Sequence, residues 1–415
     1  MTQEKQRSQL WVILTIVFLG FVGISMPYLI FPALILNPEY SILPADVAES
    51  SRALILGITL AVYPLGQFIG SPILGALSDD FGRKKLLSAS LFVTGFCNLF
   101  SGIAIAGQNL WLLIVSRFVA GLMEGNIAIA RAMAADIKTI SKHESFGKIN
   151  AVTSIAYLIG PLIGGLMADK NLLEQLTAST PFFAISIFFF CLTGASAFVL
   201  KGSTGLFPRE TKSIWQRINF IQRMSKLFAN QQLKHLMIAS TIFTLGVDIF
   251  YEFGPVYLTV KWTLGPAHLI VYNGVLCVAL AVGNGWLPSF FSKHGSNRLP
   301  IICAIGGFTL ILMGIVVAET SWLMILLFGL SGLAIGLAVV LITVKISDSV
   351  SDAIQGEVMG VQLSLRVLGD GLICLFGGAL LIFSPRLILI IAAAMSIFAM
   401  FYYRNRHKTV SAQED

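Results

Sequence analysis

Charged side chains are scarce in this chain. Asp, Glu, Lys and Arg make up only 12% of its 415 residues, whereas hydrophobic residues make up 56%. Because a soluble domain carries about 25% charged residues, this composition excludes an ordinary soluble protein and indicates a membrane protein with many spans. Cysteine is scarce too: the five cysteines all fall inside apolar segments, without a close pair that would predict a disulfide or a metal site.

Sequence motifs of catalysis are missing as well. The chain has no H-E-x-x-H, no G-x-S-x-G and no Cys/His cluster with the spacing of metal ligands. None of its five histidines falls in the middle of an apolar segment, which argues against a histidine proton relay. We therefore expect no enzyme, no cofactor and no metal; a membrane-embedded sensor or enzyme is the alternative from another functional class.

Long apolar segments dominate what is present. Each of twelve segments is long enough to cross a hydrocarbon core of about 30 Å as a helix. These segments, called spans one to twelve, are residues 10–34, 53–77, 86–106, 109–136, 147–168, 180–200, 234–258, 267–290, 299–318, 321–344, 357–381 and 384–403. The first lacks a signal-peptide cleavage site and is expected to be retained. The predicted fold is an all-α membrane protein with twelve transmembrane helices.

Basic residues are unevenly distributed between the two sides of the predicted membrane. With the N-terminus inside, 21 Lys and Arg lie in the inner loops and tails or at the span ends next to them, and four lie in the outer loops or at the span ends next to those. Because positive charge favours the cytoplasmic side, we expect both termini in the cytoplasm, beneath a bacterial inner membrane. This topology accounts for the net charge of +7 without a nucleic-acid partner.

The chain divides into halves of six spans. We expect an N-terminal bundle at 1–201, a cytoplasmic linker at 202–233, and a C-terminal bundle with a short tail at 234–415. Apolar linker residues at helical spacing are Ile214, Trp215, Ile218, Ile221 and Met224. They indicate either an amphipathic helix on the membrane surface or a solvated segment.

Glycine markers in the two halves recur 213 positions apart. Gly82 after span two corresponds to Gly295 after span eight, and Gly164 in span five corresponds to Gly377 in span eleven. This offset predicts two pseudo-symmetric six-helix bundles, related by an axis along the membrane normal.

The loop after span two reads Gly75-Ala-Leu-Ser-Asp-Asp-Phe-Gly-Arg-Lys-Lys85, which places two carboxylates and three cations in one short loop. The pattern resembles the signature loop of the major facilitator superfamily, although Asp80 stands where a basic residue is common. A positive-inside loop without further role is the alternative. The resemblance implies a charge network that latches the outward-facing state. Its gate residues would be Gly75, Asp79, Gly82, Arg83, Lys84 and Asp136.

Span four contains a stripe of ionisable residues. Arg117, Gly121, Glu124, Ala128 and Arg131 follow one another at steps of four and three, so a continuous helix places them on one face. Burying such groups costs about 2.5–3.5 kcal/mol each, which predicts that the stripe faces the bundle interior or a wet cavity. An ion-pair ladder between helices is the alternative. The R-x-x-x-G pattern resembles a family motif whose arginine is linked to proton transfer.

Span five contains Gly160-Pro161-Leu-Ile-Gly164-Gly165, which resembles the G-P-x-x-G-G signature of twelve-helix drug:proton antiporters. The proline frees a backbone carbonyl, and the glycines permit close helix contact. The order of motifs most resembles tetracycline-efflux-like proteins. Those exporters carry an acidic residue in helix one, and span one here has no charge, which argues against tetracycline itself as the substrate.

Four carboxylates, Glu124, Asp248, Glu252 and Asp370, lie inside spans. Proton coupling needs a group that exchanges a proton as its access to water changes, and Glu124, nearest mid-span, ranks first. Asp248 and Glu252 are one turn apart and resist joint ionisation, so one is expected to hold a proton. Arg366 and Asp370, also one turn apart, are expected to form an ion pair. The expected proton-coupling set is Arg117, Glu124, Asp248, Glu252 and Asp370.

Polar side chains within the spans are candidates for substrate binding. They are Tyr63, Gln67, Asn126, Tyr251, Asn273, Gln362 and Arg366. Any of them has the alternative of bonding a neighbouring helix. We expect a monomeric secondary transporter in the lipid bilayer that exports a small, partly apolar molecule in exchange for protons by alternating access. The alternative is import or export of a nutrient, siderophore or other endogenous metabolite on the same fold.

Overall fold

All regular elements of the described chain are helices. The computed structural model describes residues 3–37, 40–135, 137, 142–168, 175–200, 220–292, 298–350 and 352–411. Within these ranges the helices are α1 Gln3–Ser25, α2 Pro27–Leu36, α3 Glu49–Phe81, α4 Arg83–Ala106, α5 Leu110–Leu122, α6 Gly125–Ala135, α7 Lys142–Ala168, α8 Thr180–Val199, α9 Phe220–Leu227, α10 Gln231–Trp262, α11 Pro266–Gly285, α12 Leu287–Ser292, α13 Arg298–Val317, α14 Ser321–Asp348, α15 Asp352–Leu381 and α16 Pro385–Ser411. The predicted all-α fold class is confirmed.

Twelve segments of the described chain are long and apolar enough to cross a membrane. They are Arg7–Leu36, Glu49–Ser78, Arg83–Ala106, Leu110–Ala134, Ala151–Ala168, Thr180–Val199, Gln231–Trp262, His268–Gly285, Arg298–Val317, Ser321–Asp348, Val358–Leu381 and Pro385–Asn405. Each overlaps one predicted span, so the predicted number of spans is confirmed. Span eight is shorter than predicted because α11 ends at Gly285, and the short helix α12 begins just before Pro288.

The chain forms two compact units. The N-terminal unit comprises Met1–Ile218 with Gly265–Ala267, and the C-terminal unit comprises Asn219–Leu264 with His268–Asp415. Most of the predicted amphipathic segment lies outside the described residues. Its described end, with Ile221 and Met224, lies in helix α9.

Glycines set a close helix crossing in the N-terminal unit. Gly66 and Gly70 on α3 face the end of α5, and Gly121 and Gly125 face α3 in return. A Cβ on Gly121 would collide with the carbonyl oxygen of Tyr63. Because only glycine permits such backbone contact, these four positions bring the side chains that flank the crossing within hydrogen-bonding reach.

The C-terminal unit contains a similar crossing between α11 and α14. A Cβ on Gly336 of α14 would lie 2.7 Å from the backbone nitrogen of Asn284, and one on Gly332 would collide with the carbonyl oxygen of Leu276. On α11, Gly283 is 213 positions after Gly70, the offset of the predicted repeat. Each unit therefore joins two of its helices through glycines, and Gly70 and Gly283 occupy corresponding places.

Candidate proton and substrate sites

Glu124 occupies a break in span four. Helix α5 ends at Leu122 and α6 begins at Gly125, so the continuous stripe predicted for this span is interrupted at the carboxylate. The side chain is only 3% exposed. The phenolic hydroxyl of Tyr63 on α3 donates a hydrogen bond to its Oε2, a contact that the glycine crossing makes possible.

The second oxygen of Glu124 is differently placed. Its Oε1 is buried and has no hydrogen-bond partner in the described structure. A Cβ on Gly20 of α1 would lie 3.8 Å from this atom, so the bare backbone of α1 faces it. One carboxyl oxygen is thus held by Tyr63, while the other is left to bind a proton or a ligand donor.

Arg117 does not pair with Glu124, since no described ion pair joins them. Its guanidinium carbon lies 4.7 Å from the ring centroid of Tyr63 and 5.8 Å from that of Phe182 on α8. Tyr63 therefore stands between the base and the acid, with its ring on the cation and its hydroxyl on the carboxylate. A cation–π contact of a desolvated arginine contributes about 2 kcal/mol.

The remaining contacts of Arg117 join further helices. Nη1 donates to Oδ1 of Asn98 on α4, and Nη2 donates to the carbonyl oxygen of Gly23 on α1, both at 3.4 Å. The Gly23 carbonyl is available because Pro27, four residues later, has no N–H to bond it. The arginine, 2% exposed, is therefore held by α1, α3, α4 and α8.

Arg131 and Asn126 lie on α6, after the break. The Arg131 guanidinium carbon lies 5.7 Å from the ring centroid of Phe21 and forms no ion pair within the described chain, so span four shows no ion-pair ladder there. Asn126 is 1% exposed, and neither its Nδ2 nor its Oδ1 has a hydrogen-bond partner in the described structure. A buried amide in that state costs about 1–3 kcal/mol, which a bound ligand would relieve.

In the C-terminal unit, Arg366 pairs with Asp248 and not with Asp370 as expected from the sequence. Its Nη2 lies 2.6 Å from Oδ1 of Asp248, and its Nε lies 3.0 Å from Oδ2. The planar fork of the guanidinium matches both oxygens of a carboxylate on the facing helix α10. Asp370, a short side chain on the same helix as Arg366, is directed elsewhere.

Asp370 meets Glu252 and Cys374. One carboxylate oxygen of Glu252, one of Asp370 and the Sγ of Cys374 all lie within 4.8 Å of one another. Sequence reasoning placed both acids among the proton-coupling residues and overlooked the cysteine. The signal that could have found it is the spacing, because Cys374 follows Asp370 by one helical turn.

Of the other predicted substrate ligands, two have side-chain amides that contact other protein groups, and two are half-buried. Gln362 donates from Nε2 to Oγ of Ser240 on α10 at 2.8 Å, and Nδ2 of Asn273 contacts Sγ of Cys277 in its own helix at 3.7 Å. Their amides are therefore engaged within the protein. Gln67 on α3 and Tyr251 on α10 are half-buried.

The predicted gate loop is partly described. Gly82 has φ +91° between α3 and α4, a conformation that favours glycine. Nη1 of Arg83 donates to the carbonyl oxygen of Ala132 on α6 at 3.2 Å; Lys84 is half-buried. Gly75 lies within α3, and a Cβ there would meet no described atom within 4 Å. Asp136 and the side chain of Asp79 lie outside the described residues.

The Gly160-Pro161-Leu-Ile-Gly164-Gly165 segment packs α7 on the junction of α1 and α2. A Cβ on Gly160 would collide with Oγ of Ser25, and one on Gly164 would lie 2.7 Å from the carbonyl oxygen of Met26. Pro161 and Gly165 are buried in the same segment. The motif therefore fixes the bend of span one, near the carbonyl that binds Arg117.

A family model described as Major Facilitator Superfamily matches residues 11–373. The chain is 35% identical over 170 residues to the class C tetracycline resistance protein of Escherichia coli, a match that covers 40% of each chain. It is 24% identical over 317 residues to multidrug resistance protein 2 of Bacillus subtilis (strain 168), covering 73% of this chain and 72% of that one. The match to the tetracycline resistance protein thus spans less than half of its length.

Solved structures show the same fold at low identity. A bacterial homolog of the human lysosomal transporter Spinster superposes with a TM-score of 0.78 at 13% identity, covering 97% of both chains. A D-xylose–proton symporter superposes with a TM-score of 0.71 at 15% identity, covering 95% of this chain and 97% of that one.

Proposed function

Because the chain belongs to the major facilitator superfamily and is therefore a multi-pass membrane transporter, not an enzyme, we propose that it is a proton-coupled antiporter. It exports a small, partly apolar molecule by alternating access. It resides as a monomer in a bacterial inner membrane, with both termini in the cytoplasm and no nucleic-acid partner. The basic inner loops support this orientation.

The observation that carries the proposal is the carboxyl group of Glu124. It is buried, one oxygen accepts from Tyr63, and the other has no described partner. An ionisable group is retained inside a membrane span at a free-energy cost, which marks it as functional by default. Proton and substrate compete for Oε1, so protonation weakens substrate binding and lets the cargo leave.

Arg117 and Tyr63 support the proton exchange. The Arg117 cation, which lies over the Tyr63 ring, stabilises the negative charge of the Glu124 carboxylate beyond the Tyr63 hydroxyl. The hydroxyl holds that carboxylate in one orientation. The unsatisfied amide of Asn126 is the substrate ligand best supported in this unit. Asp248, Glu252, Asp370 and Arg366 form the ionisable set of the C-terminal unit and are secondary candidates.

The gate and antiporter motifs complete the proposal. Gly75, Asp79, Gly82, Arg83, Lys84 and Asp136 act as a latch that opens and re-forms in each cycle. Gly160, Pro161, Gly164 and Gly165 support the bend of span one. Arg83 donates a hydrogen bond to α6, the helix that follows Glu124. This contact supports a loop that moves together with α6.

Export is favoured by the names of the relatives, which are tetracycline and multidrug resistance proteins. Tetracycline itself is a poor candidate because α1 presents Gly20, not an acid, to Glu124. The fold alone gives no direction, since a D-xylose–proton symporter shares it. Uptake of a nutrient therefore stays as the alternative.

The proposal is tested in liposomes that contain the purified protein and an internal pH dye. Ethidium, tetracycline and a quinolone are added in turn under an imposed proton gradient. Antiport predicts proton movement triggered by one compound, lost in Glu124→Gln and retained in Gly194→Ala, a position where a Cβ meets nothing within 4 Å.

Two results would contradict it. Equal proton movement in Glu124→Gln removes the assigned role of that carboxyl. Protons that move in the same direction as a labelled sugar, with none of the three drugs active, identify a symporter.

A further inference from the structure

We propose that Glu252, Asp370 and Cys374 form a binding site for a divalent transition-metal ion of borderline softness, such as Zn²⁺ or Cd²⁺. The proposal does not rest on the antiport above, although Glu252 and Asp370 are also secondary candidates for proton coupling, and its test needs no transported substrate. No metal was expected from the sequence, since its cysteines form no close pair and its Cys and His residues show no ligand spacing.

The packing of α10 on α15 brings the three ligands together. Gly369 and Gly377 of α15 are contact points, since a Cβ on either would collide with the side chain of Leu245 or of Phe253 on α10, respectively. These contacts leave α15 close enough for short acidic side chains to reach α10. Asp370 directly follows Gly369, and one of its carboxylate oxygens lies within 4.8 Å of a carboxylate oxygen of Glu252 on α10.

Two rungs of ionisable residues join these helices, and they differ. The first rung joins Asp248 to Arg366, and the second, one turn on, joins Glu252 to Asp370. Because Arg366 binds both oxygens of Asp248, its fork is committed to the first rung. The second rung faces two acids toward each other in a membrane span, an arrangement that a bound cation stabilises.

The atoms that face this rung are available as ligands. Oδ1 of Asp370 is buried and has no hydrogen-bond partner within the described chain. The thiol of Cys374 is 0% exposed, is reduced, and takes part in no hydrogen bond among the described residues. A fully buried sulfur that lies within 4.8 Å of both carboxylate oxygens is therefore a second observation, beyond the acids, that points to a ligand.

The donor set selects the class of ion. One thiolate and two carboxylates suit Zn²⁺ and related ions, whereas Mg²⁺ and Ca²⁺ prefer oxygen ligands only. Zinc–sulfur and zinc–oxygen distances of about 2.3 Å and 2.0–2.2 Å require the ligand atoms to close in somewhat. Three protein ligands leave a fourth position for water.

The test is a cadmium titration of the purified full-length chain in detergent. It uses a background in which the exposed Cys191 and Cys303 are replaced by serine, so that surface thiols do not bind. The ultraviolet thiolate-to-cadmium charge-transfer band reports coordination by sulfur, and calorimetry gives the stoichiometry. The test variants are Cys374→Ser and Asp370→Asn. The matched control is Cys97→Ser, a buried thiol of the N-terminal unit.

The proposal predicts one Cd²⁺ per chain with a charge-transfer band. Cys374→Ser abolishes the band, Asp370→Asn weakens binding at least tenfold, and Cys97→Ser leaves both unchanged. The absence of a band in the background protein overturns the proposal, and so does a band that survives in Cys374→Ser. Thermal unfolding of every variant shows that it is folded. If no metal binds while Asp370→Asn alters proton uptake, the two acids share a proton instead.

Discussion

The two units share a helix crossing and differ in the polar groups that surround their packed helices. In the N-terminal unit the acid Glu124 and the base Arg117 are kept apart by Tyr63. In the C-terminal unit the acid Asp248 and the base Arg366 bond directly. A carboxylate bound by a guanidinium through both oxygens has both oxygens engaged, whereas a carboxylate bound by a tyrosine through a single oxygen keeps the other for a proton.

The glycine crossing lies next to an acid in one unit only. Tyr63 and Glu124 flank the crossing of α3 with α5, whereas Asp248 and Arg366 lie on α10 and α15 and not on α11 and α14, the helices of the C-terminal crossing. Leu276 stands 213 positions after Tyr63, so the C-terminal copy of the crossing lacks the hydroxyl.

The largest expected effect comes from filling the crossing itself. Gly121→Val and Gly332→Val each force a side chain into the backbone of the facing helix, which is expected to lower the free energy of unfolding by about 3 kcal/mol or more. The measurement is thermal unfolding in detergent. Gly194→Val is the control, because a Cβ there meets nothing within 4 Å. Equal unfolding of all three variants would show that neither crossing is tight.

Removal of the arginine in the C-terminal pair should have the next largest effect. Arg366→Gln leaves the buried carboxylate of Asp248 without its guanidinium partner. We expect the free energy of unfolding to fall by about 2 kcal/mol. This loss is smaller than that for a fully buried pair because the arginine side chain is 41% exposed. The double variant Asp248→Asn with Arg366→Gln should recover part of the loss. If the double variant is no more stable than the single one, the two residues are not coupled.

A smaller effect is expected from Tyr63→Phe, which keeps the ring under Arg117 and removes the hydrogen bond to Glu124. Loss of a hydrogen bond to a buried acid costs about 1–2 kcal/mol. We expect the pH profile of transport to move and the thermal unfolding temperature to fall by about a few degrees. Tyr402→Phe, which removes a hydroxyl bonded to His235, should leave the profile in place. An unchanged pH profile in Tyr63→Phe would show that the Tyr63 hydroxyl does not influence proton exchange at Glu124.

The smallest effect on stability is expected at Gly75. Gly75→Ala adds a Cβ to a helix at a place where it meets no described atom within 4 Å. We expect the substitution to raise the free energy of unfolding by less than about 1 kcal/mol. Transport should nevertheless slow if this glycine serves the proposed gate. If the Gly75→Ala variant transports at the wild-type rate in liposomes, Gly75 has no role in the proposed gate.

Hydropathy predicted the membrane framework because each span is a continuous apolar stretch of sufficient length. It did not predict the contact of Tyr63 with Glu124, because 61 residues separate them and the pattern does not say which helices cross. The Arg366 pairing was wrong for a related reason. Spacing along one helix favoured Asp370 as the partner of Arg366, but the guanidinium reaches the carboxylate of Asp248 on the facing helix α10.

The sequence did not predict the break in span four, and it offered only a partial signal for the cysteine of the C-terminal cluster. Arg117, Glu124 and Arg131 have the spacing of one helix face, and the interruption at Met123 and Glu124 separates them. Cys374 has no partner in its own stretch of chain except Asp370. Its third neighbour, Glu252, lies more than 100 residues away and is brought there by the packing of α10 on α15.

The most direct test of the central claim is infrared difference spectroscopy of the purified protein over a pH titration. The account predicts a carboxylic-acid C=O band that appears with protonation, is missing in Glu124→Gln, and moves in frequency in Tyr63→Phe because the hydrogen bond is lost. The band should persist when Asp248 is replaced by asparagine. A titration in Glu124→Gln that matches the wild type would contradict the claim that this carboxyl group exchanges the proton.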